Sequence, residues 1–401
     1  MRLPHLPSAL TRLALIALSV LALAAAPVRA DGPGEPPKAE PKAAPPADAA
    51  KQAEALEEAV MRAFAAKRYE DAAAKCRELI ALRPQDEGAR YNLACALARL
   101  GKPQEALDAL KAAIEHGYAD ADHMGEDEDL ASLRTEKAFG ELVAAARAGE
   151  AQAEEKAYEP GAEMEGLKTI EGRPANGLRW RLRLGQGATP AKPHRLVVWL
   201  HPSGGSMNAK VEPLAKDLAE RGFALLALSA KNWSGWSERD AKRLLDGTLP
   251  DVAKVEGLDA RRPVLLGFSA GGQMALVLWA QEPARWGGLV LDAAYPIDME
   301  AYAKFGPGPE AMLKLPAGDA TKGTPIFVLV GDADPGQMAW RSIEEGWRSA
   351  GVPLTVTYVP EGRHAWLFGP EQLKALWTWI ADVGAGKLPG APEGAAKPAT
   401  K

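Results

Sequence analysis

A serine between two glycines is the first group in this sequence that could carry chemistry. It lies in the pentapeptide at 267–271 (GFSAG), which follows an apolar run at 263–266 and precedes an apolar segment from Gln273. A tight turn from a strand into a helix strains its central residue, so the positions two before and two after must be small. Gly267 and Gly271 meet that need. The pattern predicts that Ser269 projects its hydroxyl at a sheet edge as a nucleophile.

Two later segments supply the base and the acid that a serine nucleophile needs. His364 follows an apolar run at 354–359, and Asp334 follows one at 326–330. A histidine could take the hydroxyl proton and return it to a leaving group, while a carboxylate holds the ring in the productive tautomer. Asp332 and Asp292 also follow apolar runs and remain alternative acids.

A second glycine-rich loop at 201–206 (HPSGGS) follows the apolar run at 196–200. Two backbone amides directed at one point can stabilise a developing oxyanion. We expect these amides to be those of Ala270, directly after the nucleophile, and Ser203. Pro202 has no N–H and cannot donate. The alternative is a glycine-rich turn with a structural His201.

The elements that must position these residues alternate in type from about residue 166. Amphipathic segments separate short runs rich in Val and Leu, which lie at 178–184, 196–200, 224–228, 264–266, 289–291, 326–330 and 354–359. Such alternation predicts an α/β fold class with a mostly parallel sheet covered on both faces. In these sheets, sites form beyond the carboxyl ends of the strands. The three candidate residues should therefore converge at one edge.

Residues 166–384 resemble the α/β-hydrolase family, nearest to its dienelactone hydrolases, carboxylesterases and polyhydroxybutyrate-depolymerase-like esterases. The resemblance rests on the 267–271 pentapeptide, the 201–206 loop and the order Ser269, Asp334, His364. It covers a little over half of the chain. It implies a serine hydrolase that cleaves carboxylic esters through an acyl-enzyme, with no metal and no cofactor.

Two details of that resemblance bear on individual residues. The family places its acid at the second Asp of a Gly-x-x-Asp pattern, which here favours Asp334. Pro202 stands where the family usually has glycine. A peptidase of the prolyl-oligopeptidase type shares the fold and the triad, but no large propeller precedes residue 166. A binding protein that uses the hydrolase fold as a scaffold is the other alternative.

Tryptophan is unusually frequent, with 11 residues against 7 Phe and 7 Tyr. Trp233, Trp236 and Trp366 lie in loops at the expected site edge, where flat rings could bind an aromatic acyl group or a sugar. Ordinary packing is the alternative. Trp residues at helical spacing are expected in the core, and these are Trp279, Trp347, Trp377 and Trp379.

Residues 51–150 are rich in alanine and repeat at a period of 34, which Ala72 and Ala106 illustrate. They resemble tetratricopeptide repeats, which are paired antiparallel helices, with about two repeats and a cap at 127–148. The expected role is either docking of a protein partner or a structural appendage. Cys76 and Cys95 could pair but need not.

The remaining segments carry targeting and linker signals. Residues 1–30 are expected to be a cleavable signal peptide, so the mature protein would be secreted or periplasmic. Linkers are expected at 31–50 and 151–165, and a disordered tail at 385–401. The domains are then the helical repeats at 51–150 and the hydrolase at 166–384.

Composition excludes several other classes of function. The net charge of −5 over 401 residues argues against a nucleic-acid-coating protein. Two Cys exclude a disulfide scaffold and a Cys-based zinc module, and the six His are scattered. The expected partners are a small-molecule or polymer-borne ester and, for the repeats, a protein. No membrane span is expected in the mature form. The acyl group, the alcohol group and the oligomeric state are not determined by the sequence.

Overall fold

The computed structural model describes residues 47–158, 161–228, 236–298 and 301–391, apart from 303, 305 and 307. The expected signal peptide at 1–30 and most of the linker at 31–50 lie outside these residues. Within the described ranges, no helix is both long and apolar enough to cross a membrane. Contacts divide the chain into two units, one that ends at Tyr158 and one that follows it.

The first unit is helical. Its elements are α1 (Ala47–Ala65), α2 (Tyr69–Leu82), α3 (Glu87–Arg99), α4 (Pro103–Glu115), α5 (Ala121–Glu126), a 3-10 helix (Glu128–Leu133) and α6 (Lys137–Ala157). Helix α1 begins inside the expected linker at 31–50, and α6 continues seven residues into the one at 151–165. Both expected linkers therefore include helical residues.

Small side chains let the first four helices pack closely. Ala72 and Ala106, one period apart, are both fully buried, and Ala73 packs with Ala63 and Ala96. Asp86 caps α3 by accepting a hydrogen bond from the N–H of Ala89 at 2.7 Å. The tetratricopeptide interpretation of these helices stays a prediction. Cys76 and Cys95 are both buried free thiols, so they are not paired with each other.

The second unit is built on one sheet, with eight strands in the residues described. They are β1 (Leu167–Gly172), β2 (Trp180–Gly185), β3 (His194–Leu200), β4 (Phe223–Leu228), β5 (Leu258–Phe268), β6 (Gly288–Asp292), β7 (Ile326–Gly331) and β8 (Leu354–Val359). The spatial order is β1-β2-β4-β3-β5-β6-β7-β8. Strand β2 is antiparallel to β1 and β4, and all other neighbours are parallel.

Both faces of this sheet are buried because each inner strand alternates its side chains between two cores. In β3, Leu196 and Val198 belong to the core on one face, and Val197 and Trp199 belong to the core on the other. The expected α/β class with a mostly parallel sheet is confirmed. The sequence does not predict strand β1, because its alternating polar residues lack the Val- and Leu-rich signature of the inner strands.

Helices cover the two faces. The longer ones are α11 (Ala270–Gln281), α12 (Gln337–Ser349) and α13 (Pro370–Gly384). The shorter ones are α7 (Asn208–Val211), α8 (Leu214–Glu220), α9 (Glu238–Lys242) and α10 (Leu249–Val252), with a π-helix (Arg243–Thr248) between α9 and α10 and 3-10 turns at Pro283–Arg285, Pro309–Ala311 and Asp319–Gly323.

The helical tryptophans and the chain end refine two expectations. Trp279, Trp347 and Trp379 are buried as expected, whereas Trp377 is half-buried under the guanidinium of Arg221, 4.9 Å from its ring centre. Beyond α13, the carbonyl of Gly390 accepts a hydrogen bond from the N–H of Leu354 in β8 at 3.0 Å. The expected tail at 385–401 therefore starts too early.

Candidate active site

Ser269 occupies a strained turn between β5 and α11. Its φ of 51° and ψ of −117° lie where residues with a side chain are rarely found. Holding one residue in such a conformation costs about 1–3 kcal/mol, so the surrounding structure must impose it. The Ser269 N–H donates to the carbonyl of Asp292 at 2.9 Å, which ties the turn to the end of β6. The strain directs the serine side chain out of the sheet edge.

The two glycines of the pentapeptide are required by close backbone approach. A Cβ on Gly271 would lie 1.8 Å from the carbonyl oxygen of Leu200, at the end of β3. A Cβ on Gly267 would lie 2.5 Å from the carbonyl of Gly271 itself. Side chains at these positions would force β3, β5 and α11 apart. The small residues expected from the sequence therefore have a direct steric cause.

Hydrogen bonds join Ser269, His364 and Asp334. The Oγ of Ser269 lies 2.9 Å from Nε2 of His364, and Nδ1 of the same ring lies 3.1 Å from Oδ2 of Asp334. These residues follow β5, β8 and β7, whose carboxyl ends lie at one edge because the strands are parallel. The structure thus brings together the three side chains that the sequence singled out.

Asp334 is the carboxylate that contacts the histidine. It is 1% exposed, and its Oδ1 accepts the N–H of Gly336 at 3.0 Å. Burial by itself would raise the pKa of Asp334, but hydrogen bonds from His364, Tyr295 and Gly336 outweigh it and leave the pKa below its usual value. The carboxylate is therefore ionised at neutral pH.

The two alternative acids have other surroundings. Asp332 is exposed on the surface of the same loop. Asp292 is fully buried at the end of β6, where its Oδ2 accepts the N–H of Leu367 at 3.1 Å. Burial, together with the negative charge of Asp334, raises the pKa of Asp292 well above its usual value. Neither makes the contact with His364 that Asp334 makes.

Tyr295 is a member of this cluster that sequence reasoning missed. Its hydroxyl lies 2.7 and 2.8 Å from the two carboxylate oxygens of Asp334, and it also hydrogen-bonds Nδ1 of His364. Burial, reinforced by Asp334, raises its pKa well above the usual value, so the hydroxyl stays protonated. Its position three residues after Asp292 was the available signal, because that segment also leaves the carboxyl end of a central strand.

The expected oxyanion residues lie on two segments that touch. Ala270 is the first residue of α11, where backbone N–H groups have no acceptor within the helix. Ser203 lies half-buried in the turn after β3. The approach of Gly271 to the carbonyls of Leu200 and His201 holds the two segments against each other.

Two indole groups hold the ends of the loop at 201–206. Trp236 donates its Nε1–H to the carbonyl of His201 at 2.8 Å, and Trp199 donates to the carbonyl of Ser206 at 3.0 Å. The His201 ring packs on Trp236, with ring centres 4.4 Å apart, and its Nδ1 lies 2.7 Å from the carbonyl of Pro202. Burial lowers the pKa of His201 to about 4, so the ring is neutral and donates that hydrogen bond.

The three loop tryptophans expected to contact substrate have separate outcomes. Trp233 lies outside the described residues. Trp236 donates its N–H to the carbonyl of His201, in the loop at 201–206. Trp366 is half-buried, with its ring edge-to-face to Trp199 at 5.8 Å and to Phe268 at 6.1 Å. Packing accounts for the contacts of both described residues, while Trp366 remains near the site because it follows His364 by two positions.

Two further observations concern binding of other groups. Among the described side chains, no group of three or more His, Cys, Asp or Glu is placed to hold a metal ion. A cavity of about 510 Å³ opens at the amino ends of β3, β4 and β5, where Arg195, Arg221 and Phe223 line it. It lies at the end of the strands opposite to Ser269.

The order of the strands defines the class of fold. A serine on a sharp turn after β5, an acid after β7 and a histidine after β8 are the arrangement of an α/β hydrolase. Residues 54–154, which belong to the helical unit, match the family model described as the A/B hydrolase-like, N-terminal domain.

Similarity to a curated protein is confined to a short stretch. The chain is 34% identical over 79 residues to a chloroplastic protein of Arabidopsis thaliana, and the match covers 19% of this chain. The chain spans about a quarter (24%) of the length of that relative.

Several solved structures resemble the chain at low sequence identity. The S-formylglutathione hydrolase FrmB of Staphylococcus aureus, as the apoenzyme, is 13% identical, with 54% of this chain and 98% of that chain covered at a TM-score of 0.43. A ferulic acid esterase is 16% identical, with 55% and 98% covered at 0.43. The fluorophosphonate-binding serine hydrolase FphF of S. aureus, with bound substrate, is 14% identical, with 56% and 99% covered at 0.42.

Proposed function

We propose that this protein is a serine hydrolase that cleaves carboxylic esters through an acyl-enzyme on Ser269. The observation that carries the proposal is the continuous hydrogen-bonded chain from Ser269 through His364 to Asp334, with distances of 2.9 and 3.1 Å. A serine hydroxyl is a weak nucleophile unless a base takes its proton as it attacks. His364 is hydrogen-bonded on the correct nitrogen to do so.

The first half of the reaction forms the acyl-enzyme. The Oγ of Ser269 attacks the ester carbonyl carbon while Nε2 of His364 takes its proton, and the carbonyl oxygen becomes an oxyanion. The backbone N–H groups of Ala270 and Ser203 stabilise that charge. The C–O bond to the alcohol then breaks, and His364 returns the proton to the leaving alkoxide. Asp334 stabilises the imidazolium during both proton transfers.

The second half releases the acid. Water attacks the acyl carbonyl while His364 takes one of its protons, and collapse of the second oxyanion returns that proton to Ser269 as the bond to Oγ breaks. The net change is ester plus water to acid plus alcohol. Each step uses a side chain or a backbone N–H of this chain, so the proposal includes no metal and no cofactor.

For the substrate, we propose a small-molecule or polymer-borne ester with a flat acyl group or a sugar. Trp366 supports this, because it is half-buried and follows His364 by two positions. Trp233 is included from the sequence alone. The secreted or periplasmic location rests on residues 1–30, and the partner-docking role of the helical unit rests on its repeats. Both remain proposals.

Covalent labelling with a fluorophosphonate tests the proposed nucleophile. We expect wild-type protein to label at one site and S269A not to label. The matched control is S342A, because Ser342 is an exposed serine on α12 whose hydroxyl bonds the carbonyl of Ala339. A wild-type protein that does not label, or S269A that still labels, would contradict the assignment.

A substrate panel separates the ester hydrolase from its alternatives. Short-chain, feruloyl and acetylated-sugar esters should be hydrolysed, and a matched peptide amide should not. Faster amide than ester turnover would instead indicate the peptidase, which uses the same triad. Labelling without turnover of either class would favour a binding role for the whole chain.

A further inference from the structure

The hydroxyl of Tyr295 lies between the acid and the base of the candidate triad. It is 2.7 Å from Oδ1 and 2.8 Å from Oδ2 of Asp334. It also hydrogen-bonds Nδ1 of His364, the same nitrogen that contacts Asp334 directly at 3.1 Å. The histidine therefore has two oxygen partners on the side of its ring that faces away from Ser269.

The chemistry of these groups fixes which one donates. An ionised carboxylate can only accept, so the Tyr295 hydroxyl donates its single proton to Asp334. Its lone pairs are then left for the Nδ1–H of His364. A neutral imidazole with its proton on Nδ1 has its free lone pair on Nε2, directed at Ser269. The hydroxyl thus favours the same tautomer as the direct contact with Asp334.

The surrounding backbone is shaped around the tyrosine ring. A Cβ on Gly336 would lie 1.8 Å from Cε1 of Tyr295, far closer than non-bonded carbon atoms approach each other. The N–H of Gly336 at the same time donates to Oδ1 of Asp334 at 3.0 Å. The segment that holds the acid therefore also provides the space in which the ring lies.

We propose that Tyr295 is a positioning residue that gives His364 a second link to Asp334, through its hydroxyl, in parallel with the direct hydrogen bond. The proposal rests on the proposed function, since it concerns the base of that reaction. The second link depends on Asp334, because the hydroxyl presents its lone pairs to the Nδ1–H only while the carboxylate accepts its proton. Two groups that depend on each other in this way are coupled, and a double-mutant cycle measures such coupling.

The test is a cycle of wild type, Y295F, D334A and Y295F/D334A, with kcat and KM measured on a short-chain ester. We expect Y295F to lower kcat about 10-fold with KM unchanged, which corresponds to loss of about one hydrogen bond. In the D334A background, the same change should leave kcat within about 2-fold, because the hydroxyl then has no carboxylate to accept its proton and no longer presents only lone pairs to Nδ1. Equal effects of Y295F in both backgrounds would overturn the proposal.

Two controls separate positioning from folding. Y358F is the matched variant, since Tyr358 also donates to a carboxylate, Glu344, at 3.0 Å, outside the site, and its kcat should equal that of wild type. G336A keeps the hydroxyl but displaces the ring, so its kcat should fall as in Y295F. A folded G336A with the kcat of wild type would also overturn the proposal. If Y295F does not fold, G336A replaces it as the test of the tyrosine's position.

The failure of this proposal differs from failure of the proposed function. If wild-type protein neither labels with fluorophosphonate nor turns over esters, the proposed function is wrong. If wild type does both and Y295F behaves as Y358F, the hydrolase stands and the role of Tyr295 is wrong.

Discussion

The carbonyl oxygen of Leu200 lies 1.8 Å from the point that a Cβ of Gly271 would occupy. This relationship joins the end of β3, which leads into the loop at 201–206, to the first turn of α11, which follows the nucleophile. Because Gly271 has no side chain, the loop that carries Ser203 can lie directly against the segment that carries Ala270. The close approach of the two expected oxyanion donors, the N–H groups of Ser203 and Ala270, therefore requires a residue without a Cβ at Gly271.

Substitution of Gly271 by alanine should therefore damage the fold as well as the site. Backbone lies on both sides of this position and must shift to admit a Cβ, so we expect G271A to lower the free energy of unfolding by about 3 kcal/mol. The control is G346A on the exposed face of α12, where a Cβ meets nothing within 4 Å. This change should be neutral or stabilising by up to about 1 kcal/mol. Chemical denaturation measures both, and equal stabilities would contradict the steric argument.

Removal of the Asp334 charge should reduce turnover far more than folding. D334N leaves the shape of the side chain but disturbs the tautomer of His364, and the corresponding change in a Ser-His-Asp site lowers kcat by about 10⁴. We expect a loss of about the same size here, because an amide can donate to Nδ1 or to the Tyr295 hydroxyl and no longer fixes which group donates. D332N, on the exposed neighbouring carboxylate, should leave kcat unchanged. A larger loss in D332N than in D334N would show that the acid has been assigned to the wrong residue.

The indole N–H of Trp236 should matter for the rate, even though its ring does not need to touch substrate. W236F keeps most of the ring but removes the hydrogen bond to the carbonyl of His201, and one such bond contributes about 1 kcal/mol. We expect kcat to fall about 5-fold for all esters alike, with KM little changed. W377F is the control, because Trp377 lies on α13 with its ring under the guanidinium of Arg221. A loss confined to aromatic esters would instead support the substrate contact predicted from the sequence.

Asp334 should also contribute a pH-dependent part of stability. The titratable groups that face its carboxylate are His364, Tyr295 and Asp292; burial would raise its pKa, but the hydrogen bonds from the first two lower it. A carboxyl with a lower pKa in the folded state stabilises the fold above its unfolded pKa of about 4. That contribution is lost as the pH falls through the folded pKa. The unfolding free-energy difference between wild type and D334N should therefore shrink between about pH 5 and about pH 2. A difference that grows on acidification would contradict this.

Asp292 should have the opposite pH dependence. Its pKa is raised by burial and by Asp334, and among the described groups its Oδ1 has no hydrogen-bond partner. As the pH rises above about 4, the unfolded chain releases this proton before the folded chain does, so stability falls. D292N keeps an oxygen for the N–H of Leu367 and carries no charge. We expect its stability relative to wild type to increase from about pH 4 to about pH 8, as measured by thermal unfolding, and a decrease would be inconsistent with a buried neutral acid.

The parts of the site that could be predicted from sequence are those with a local signal. The pentapeptide around Ser269 requires small residues at Gly267 and Gly271 for steric reasons. The apolar runs before Asp334 and His364 place each of these residues at the end of a strand. The hydrogen bond that the Trp236 side chain makes could not be predicted from the sequence, and its predicted contact with substrate stays a prediction. Its partner, the carbonyl of His201, is 35 positions away. A local sequence pattern cannot predict that a backbone carbonyl from another loop will lie beside an indole.

Tyr295 shows the same limit more strongly. In the sequence it is one tyrosine after a strand, and its hydroxyl meets two residues that are 39 and 69 positions away. Without the family resemblance, which favours Asp334, the choice between Asp334 and Asp292 is likewise open in the sequence. Both follow central strands, and only the packing of the segment after β8 decided which carboxylate meets Nδ1 of His364 and which one is buried against the N–H of Leu367.

The sequence by itself determined the class of sheet, the candidate nucleophile and the three segments from which a base and an acid could come. These follow from periodicity and from small residues at a tight turn, which act over a few neighbouring residues. Tertiary structure alone decided the distances within the cluster, the ionised state of Asp334, the second link through Tyr295 and the anchoring of the 201–206 loop by two indoles. Each of these depends on atoms brought together from strands far apart in the chain, and on burial that only the assembled fold creates.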